Sequence, residues 1–166
     1  MLEIERKFLW KQPPSLTDGE IIEMIQGYLL CSPVLRIRKE NENCVFTYKG
    51  EGLRSRREVN LPITEDCFRE LLPFVTGTLI VKTRRRIPLG KYVLETDYFH
   101  GALEGLCISE VEFPDEAEAD AFIFPFPDAV EVTEEGTFHN SALSRTDPVT
   151  VFESVSRIFE TRKHHE

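Results

Sequence analysis

Five stretches of this chain place charges of one sign at alternate positions, which an extended strand turns onto a single face. They are Glu3 with Glu5, Arg36 with Arg38, Lys82 with Arg84 and Arg86, Glu95 with Asp97, and Glu110 with Glu112. In several of them the opposite parity is apolar: Ile4 and Phe8, then Tyr92, Leu94 and Tyr98, then Val111 and Phe113. A sheet with one wet face shows such alternation in part, and Glu3-Ile4-Glu5-Arg6-Lys7 alone reads better as a solvated edge strand than as a site. A wet face, however, predicts a mixture of Lys, Glu, Thr, Ser and Gln. Like charges two residues apart repel, at about 1 kcal/mol per solvated pair and more when dry. Their recurrence calls for bases on some strands to face acids on others across a closed barrel with a charged lumen. About eight strands enclose an interior wide enough for side chains or one small ligand.

The order of elements supports that reading. After the first strand come Glu20 to Leu30, Val34 to Lys39, Cys44 to Lys49 and Ser55 to Leu61, the last stopped by Pro62. Thr64 reads as a helix N-cap, with Glu65 and Asp66 in the first turn and an apolar stripe of Phe68, Leu71, Leu72 and Val75. Strands follow at Thr78 to Ile87 and Lys91 to Phe99, joined by a turn at Pro88-Leu89-Gly90, and at Leu106 to Phe113. Asp115 to Phe122 reads as a short helix, Val130 to Val132 as a short strand, and residues 148–163 as an amphipathic helix with Val151, Phe152, Val155, Ile158 and Phe159 on one face. The expectation is a mainly β (α+β) fold in a single domain over 1–166. An eight-stranded antiparallel closed β-barrel occupies about 1–145, with helices packed outside as cover for its apolar outer faces. Trp10 is expected to pack on an outer helix.

Composition removes several functional classes. Cys31, Cys44, Cys67 and Cys107 lie far apart with no CxxC pair, which points to a reducing, cytoplasmic setting and away from a disulfide framework or zinc knuckle. No run approaches the ~20 apolar residues of a membrane span, and the acidic start argues against a secretory signal. A net charge of −9 disfavours nucleic acid as a partner and requires any anion site to be a local concentration of bases.

The opening EIERK resembles the ExExK signature of the CYTH, or triphosphate tunnel metalloenzyme, superfamily. The resemblance continues through QGYLL at Gln26 to Leu30, RIRK at Arg36 to Lys39, TYKG at Thr47 to Gly50, and Arg56 with Glu58. KTR at Lys82 to Arg84, ETD at Glu95 to Asp97, EVE at Glu110 to Glu112 and HNSALS at His139 to Ser144 complete it. It implies an eight-stranded antiparallel tunnel in which Lys7, Arg36, Arg38, Lys49, Arg56, Lys82 and Arg84 grip a triphosphate. Arg86 is a further candidate or a rim charge. The resemblance also implies that Glu3, Glu5, Glu110 and Glu112 hold divalent cations, and an all-carboxylate set suits Mg²⁺ or Mn²⁺, two of them on this reading. Glu58, Glu95 and Asp97 are second candidates, as ligands or as partners that orient the bases. Glu3, Glu5 and Lys7 are the expected catalytic residues, and Arg6 points outward.

The implied reaction is metal-assisted hydrolysis of a terminal phosphoanhydride. The short form of the chain most resembles the bacterial tripolyphosphatase-like members. Thiamine- or nucleoside-triphosphatase, adenylate cyclase, RNA 5′-triphosphatase and a non-catalytic polyphosphate- or nucleotide-binding module are the alternatives, and a monomer or homodimer is expected. The chain departs from many relatives at Asn60, where an acid is common, and at Thr137, where an arginine often precedes the aromatic; the second change would loosen one end of the tunnel. His139 reads as a surface loop residue or a ligand, and His164 and His165 as solvated.

Overall fold

In the computed structural model, which describes residues 2–163 and side chains as far as Thr161, the inward-facing charges are explained by closure of one sheet. The strands are β1 (Leu2–Trp10), β2 (Glu20–Cys31), β3 (Val34–Glu40), β4 (Asn43–Lys49), β5 (Ser55–Ile63), β6 (Thr76–Leu89), β7 (Tyr92–Phe99), β8 (Cys107–Glu112) and β9 (Ala129–Glu131). Hydrogen bonding runs β5-β4-β3-β2-β6-β7-β8-β1, and β1 pairs again with β5 to close eight antiparallel strands into a barrel. β9 lies outside the circuit, against Phe8 to Trp10 of β1. Closure removes exposed edges, so every strand needs only its two faces satisfied.

Among the described residues four α-helices accompany the barrel: α1 (Glu65–Leu71), α2 (Glu116–Ala121), α3 (Asn140–Leu143) and α4 (Pro148–Lys163). Thr64 caps α1 as its sequence predicts, its hydroxyl accepting from the Cys67 N–H at 3.1 Å. Phe68 of α1 is buried with Ile37 and Cys44 on the outside of β3 and β4. Val151 of α4 is fully buried, and Phe152, Val155, Ile158 and Phe159 pack beside it.

Several expectations are corrected. β5 continues through Pro62 to Ile63, and β6 runs through Pro88 to Leu89, so its hairpin turns at Gly90-Lys91. Trp10 packs on Phe124 and Phe126 of the irregular segment after α2, not on a helix, and its indole N–H donates to Ser109 Oγ at 2.7 Å. The cover over the outer faces is also incomplete. Ile21, Ile25, Leu79 and Val81 on β2 and β6 remain exposed, while β1, β7 and β8 are roofed by phenylalanines, with Phe124 stacked on Phe8 at 3.7 Å between ring centroids. His164 and His165 lie outside the described residues. No helix among the described residues is long and apolar enough to cross a membrane.

One end of the barrel is closed from within. The parity that carries charge along β1, β6, β7 and β8 ends in Leu9, Ile80, Phe99 and Ile108, which form one buried cluster with Phe138, Leu143 and Val151. That apolar layer closes one end of the lumen, with Phe138, the neighbour of Thr137, as part of it.

Candidate active site

Alternation and register bring the same-sign pairs of separate strands into opposition. Lys7 stands across from Glu110, Glu5 from Glu112, Glu3 from Arg56, Lys49 from Glu58, Arg84 from Asp97 and Arg86 from Glu95. All fifteen residues singled out in the sequence belong to this inward set. Fourteen line one cavity of about 780 Å³, and Asp97 lies in the wall behind it, with a 2.5 Å contact to Lys82 Nζ and a 2.6 Å contact to Arg84 Nε.

The charges pair tightly. Lys7 Nζ lies 2.8 Å from Glu5 and also binds Glu110. Lys49 Nζ is shared between Glu3 at 2.7 Å and Glu58 at 2.8 Å, and Arg56 reaches Glu3 at 3.1 Å. Arg84 binds Glu95, Asp97 and Glu110 together. Burial opposes charge on Lys7, Arg84 and Glu110, and the partners decide the outcome. Lys7 and Arg84 hold the Glu110 carboxyl well below the usual range against its burial. Burial likewise works against the Lys7 ammonium, yet Glu110 and Glu5 raise it above its ordinary value.

Three groups are left out of balance. Arg36 is 5% exposed and pairs with no carboxylate among the described residues. It donates to Thr47 Oγ1 at 3.1 Å, while its buried Nε–H has no partner. Beside it, burial and the like charges of Arg36 and Arg84 lower Arg38 to about 10, although Glu40 holds it at 2.6 Å. On the other wall burial raises the Glu112 carboxyl, helped by Glu3, Glu5, Glu95 and Glu58. The cavity therefore has an anion-seeking side on β3 and a cation-seeking side where β1 meets β8.

Asp97 pairs with Lys82 and Arg84, and Glu95 with Arg84 and Arg86. Glu58 is held down to about 2, against its burial, by Glu3, Lys49 and Asn60. Asn60, where an acid was expected, links that group to Thr47 at 2.7 Å. Arg86 is a rim charge, 41% exposed at its side chain. Arg6 points outward and bolts β9 and α2 to β1, through Glu131 and through the carbonyls of Ala119 and Phe122.

Sequence reasoning missed part of the lining. β2 contributes Ile22, Met24 and Tyr28, and the start of α3 contributes its N-cap residue His139 with Asn140 and Ser141. His139 is 4% exposed rather than at the surface, its Nε2 3.2 Å from the Thr133 carbonyl, and burial with nearby Lys7 lowers its pKa. QGYL carried a usable signal: the strand slips register between Gln26 and Tyr28, and a Cβ at Gly27 would stand 2.7 Å from a Val75 methyl.

The CYTH domain model matches residues 1–135. The chain belongs to the CYTH family. It is 39% identical to an inorganic triphosphatase of Nitrosomonas europaea over 89% of this chain and 100% of that protein. It is 31% identical to an inorganic triphosphatase of Acetivibrio thermocellus over 85% of this chain and 92% of that protein. Among solved structures, the crystal structure of the inorganic triphosphatase NE1496 superposes with a TM-score of 0.62 at 36% identity, covering 87% of this chain and 95% of that one. CYTH triphosphate tunnel enzymes depend on metal ions. Among the described residues, no group of three or more His, Cys, Asp or Glu is arranged to hold a metal ion. Glu3, Glu5 and Glu110 are instead drawn onto lysines and arginines.

Proposed function

We propose that this protein is a metal-dependent inorganic triphosphatase that removes the terminal phosphate of tripolyphosphate inside the barrel. The observation that carries the proposal is the divided lumen, in which Arg36, without a carboxylate partner among the described residues, and crowded Arg38 face one way and the mutually repelling Glu3, Glu5 and Glu112 the other. The cavity of about 780 Å³ has room for a linear triphosphate together with cations and their water.

The donor set fits a hard divalent cation, Mg²⁺ or Mn²⁺, because it is carboxylate throughout and its Glu112 member is destabilised as an anion by its neighbours. Glu3, Glu5, Glu110 and Glu112 would hold it, and when bound it supplies charge neutralisation and a more acidic water. The remaining work falls to this chain's bases. Arg36, Arg38, Arg56 and Arg84 present planar forks to phosphate oxygens, and Lys7, Lys49 and Lys82 compact charges. Together they stabilise the negative charge that spreads over the transferred phosphoryl group. Glu3 and Glu5 orient the attacking water. The setting is cytoplasmic, the chain forms one domain, and it works as a monomer or homodimer.

Phosphate release from tripolyphosphate, ATP and thiamine triphosphate, each with Mg²⁺ and with Mn²⁺, tests this reading. Tripolyphosphate is expected to turn over fastest. Faster release from either organic triphosphate would move the assignment to that substrate.

A further inference from the structure

β2 is the stave whose inward positions carry no charge from Ile22 to Tyr28, and it stands between the two most basic staves, β3 and β6. Its register places Ile22 beside Arg84, Met24 beside Lys82, Gln26 beside Arg38 and Tyr28 beside Arg36. Met24 is 2% exposed and lines the lumen. An anion tunnel gains little direct contact from a thioether, which offers phosphate no donor. Its neighbour Lys82 is 1% exposed, held by Asp97 at 2.5 Å and by Asn140 Oδ1 at 3.3 Å, with the Phe99 ring 5.5 Å from its nitrogen.

We propose that Met24 is a positioning residue for triphosphate binding, a dry wall that keeps water off one side of Lys82 so that its ammonium meets the incoming phosphate already partly desolvated. The proposal rests on the reading of the lumen as a triphosphate site. A charge stripped of water attracts an anion more strongly, and the desolvation cost is carried in folding rather than in binding. The charged groups around Lys82 are Asp97 on β7, Arg84 on β6 and Glu110 on β8, with β2 presenting only Met24 opposite it. Burial, aided by Arg84 and opposed by Asp97, lowers the Lys82 ammonium to about 8, as a dry neighbour requires. At pH 7 it is still mainly cationic, so loss of the wall weakens binding through solvation and not through loss of charge.

The test compares Met24→Gln, which keeps length but adds an amide, with Met24→Leu, which keeps the wall dry. Lys82 is followed by NMR of lysine labelled at the ε-carbon, assigned with Lys82→Arg. In Met24→Gln its midpoint is expected to rise from near 8 towards 10.5. The KM for inorganic triphosphate at pH 7 is expected to rise about tenfold, the equivalent of one pKa unit, with kcat within about twofold. Met24→Leu is expected to restore both. A folded Met24→Gln protein with the wild-type midpoint and KM overturns the proposal. Should that variant fail to fold, Met24→Ala opens the same space to water and is expected to shift the midpoint and KM in the same directions; wild-type values in it overturn the proposal equally. Wild-type protein that neither binds nor hydrolyses triphosphate overturns the functional reading, and a Lys82 midpoint that still moves in Met24→Gln shows that the wall survives it.

Discussion

Replacing Lys7 with methionine removes the cation at the centre of the acidic wall while keeping its volume. Lys7 is 2% exposed and lies 2.8 Å from Glu5 while binding Glu110, so the variant strands buried carboxylates beside Glu112. Breaking a buried pair by removing one partner costs about 3–5 kcal/mol. The lower end applies here, because Arg84 still holds Glu110 at 2.8 Å and Arg56 lies 3.8 Å from Glu5. At ~2–4 °C per kcal/mol for a chain of this size, Tm should fall by roughly 6–12 °C at neutral pH. The pH dependence has a definite sign. Glu110 is depressed in the folded protein, so its stabilising term is fully present above the ordinary carboxyl range near 4.5 and is lost as pH falls through its lowered pKa. The gap between wild type and Lys7→Met should therefore be full at pH 7 and shrink on acidification. Mg²⁺ should also narrow it, because a cation that binds the native carboxylates stabilises by about 2.7 kcal/mol at a hundred times its Kd. Thermal melts at pH 7 and at pH 3, with and without Mg²⁺, read all three effects. A variant as stable as wild type at pH 7, or one whose deficit grows on acidification, would refute the account of this wall.

Glu5→Gln and Lys7→Ala should each lower turnover of triphosphate at least ~100-fold, the scale of a lost electrostatic contact at a reacting centre; steady-state phosphate release checks both. Arg36→Ala should leave the melting temperature within a few degrees of wild type, since Arg36 has no carboxylate to strand, yet raise the KM for triphosphate about tenfold or more. The raised Glu112 carboxyl must lose its proton before a cation can bind. The acid limb of kcat/KM should accordingly move to lower pH as Mg²⁺ is increased, and a limb that ignores the Mg²⁺ concentration would remove Glu112 from the metal site.

The charged face of the barrel was legible because side chains alternate strictly in a strand, and a like-charge pair at i and i+2 has few other uses. Register then did what alternation could not. Nothing local in Arg84 says that Asp97, Glu95 and Glu110 converge on it, since that convergence depends on how three strands align. The sealed end was written in the same parity, in Leu9, Ile80, Phe99 and Ile108, but an apolar residue after two charges also reads as a strand simply running out. β2 was the harder case. Its lumen side is uncharged, with Ile22 and Met24 beside Gln26 and Tyr28, and its outer Ile21 and Ile25 are exposed, so hydrophobicity gives no sign of which face is inside. For His139 the sequence left a surface residue and a ligand open, because a polar loop residue is ordinarily wet; its burial, with Nε2 near the Thr133 carbonyl, removes the first.

The central claim is that this lumen cuts a terminal phosphoanhydride with the help of a divalent cation. Phosphorus NMR of inorganic triphosphate incubated with the wild-type protein tests it directly, once with Mg²⁺ and once with a chelator. The account predicts equal amounts of orthophosphate and pyrophosphate with Mg²⁺ and intact triphosphate with the chelator. Triphosphate that stays intact with Mg²⁺ while bound to the protein would contradict it, and would make the barrel a binding module.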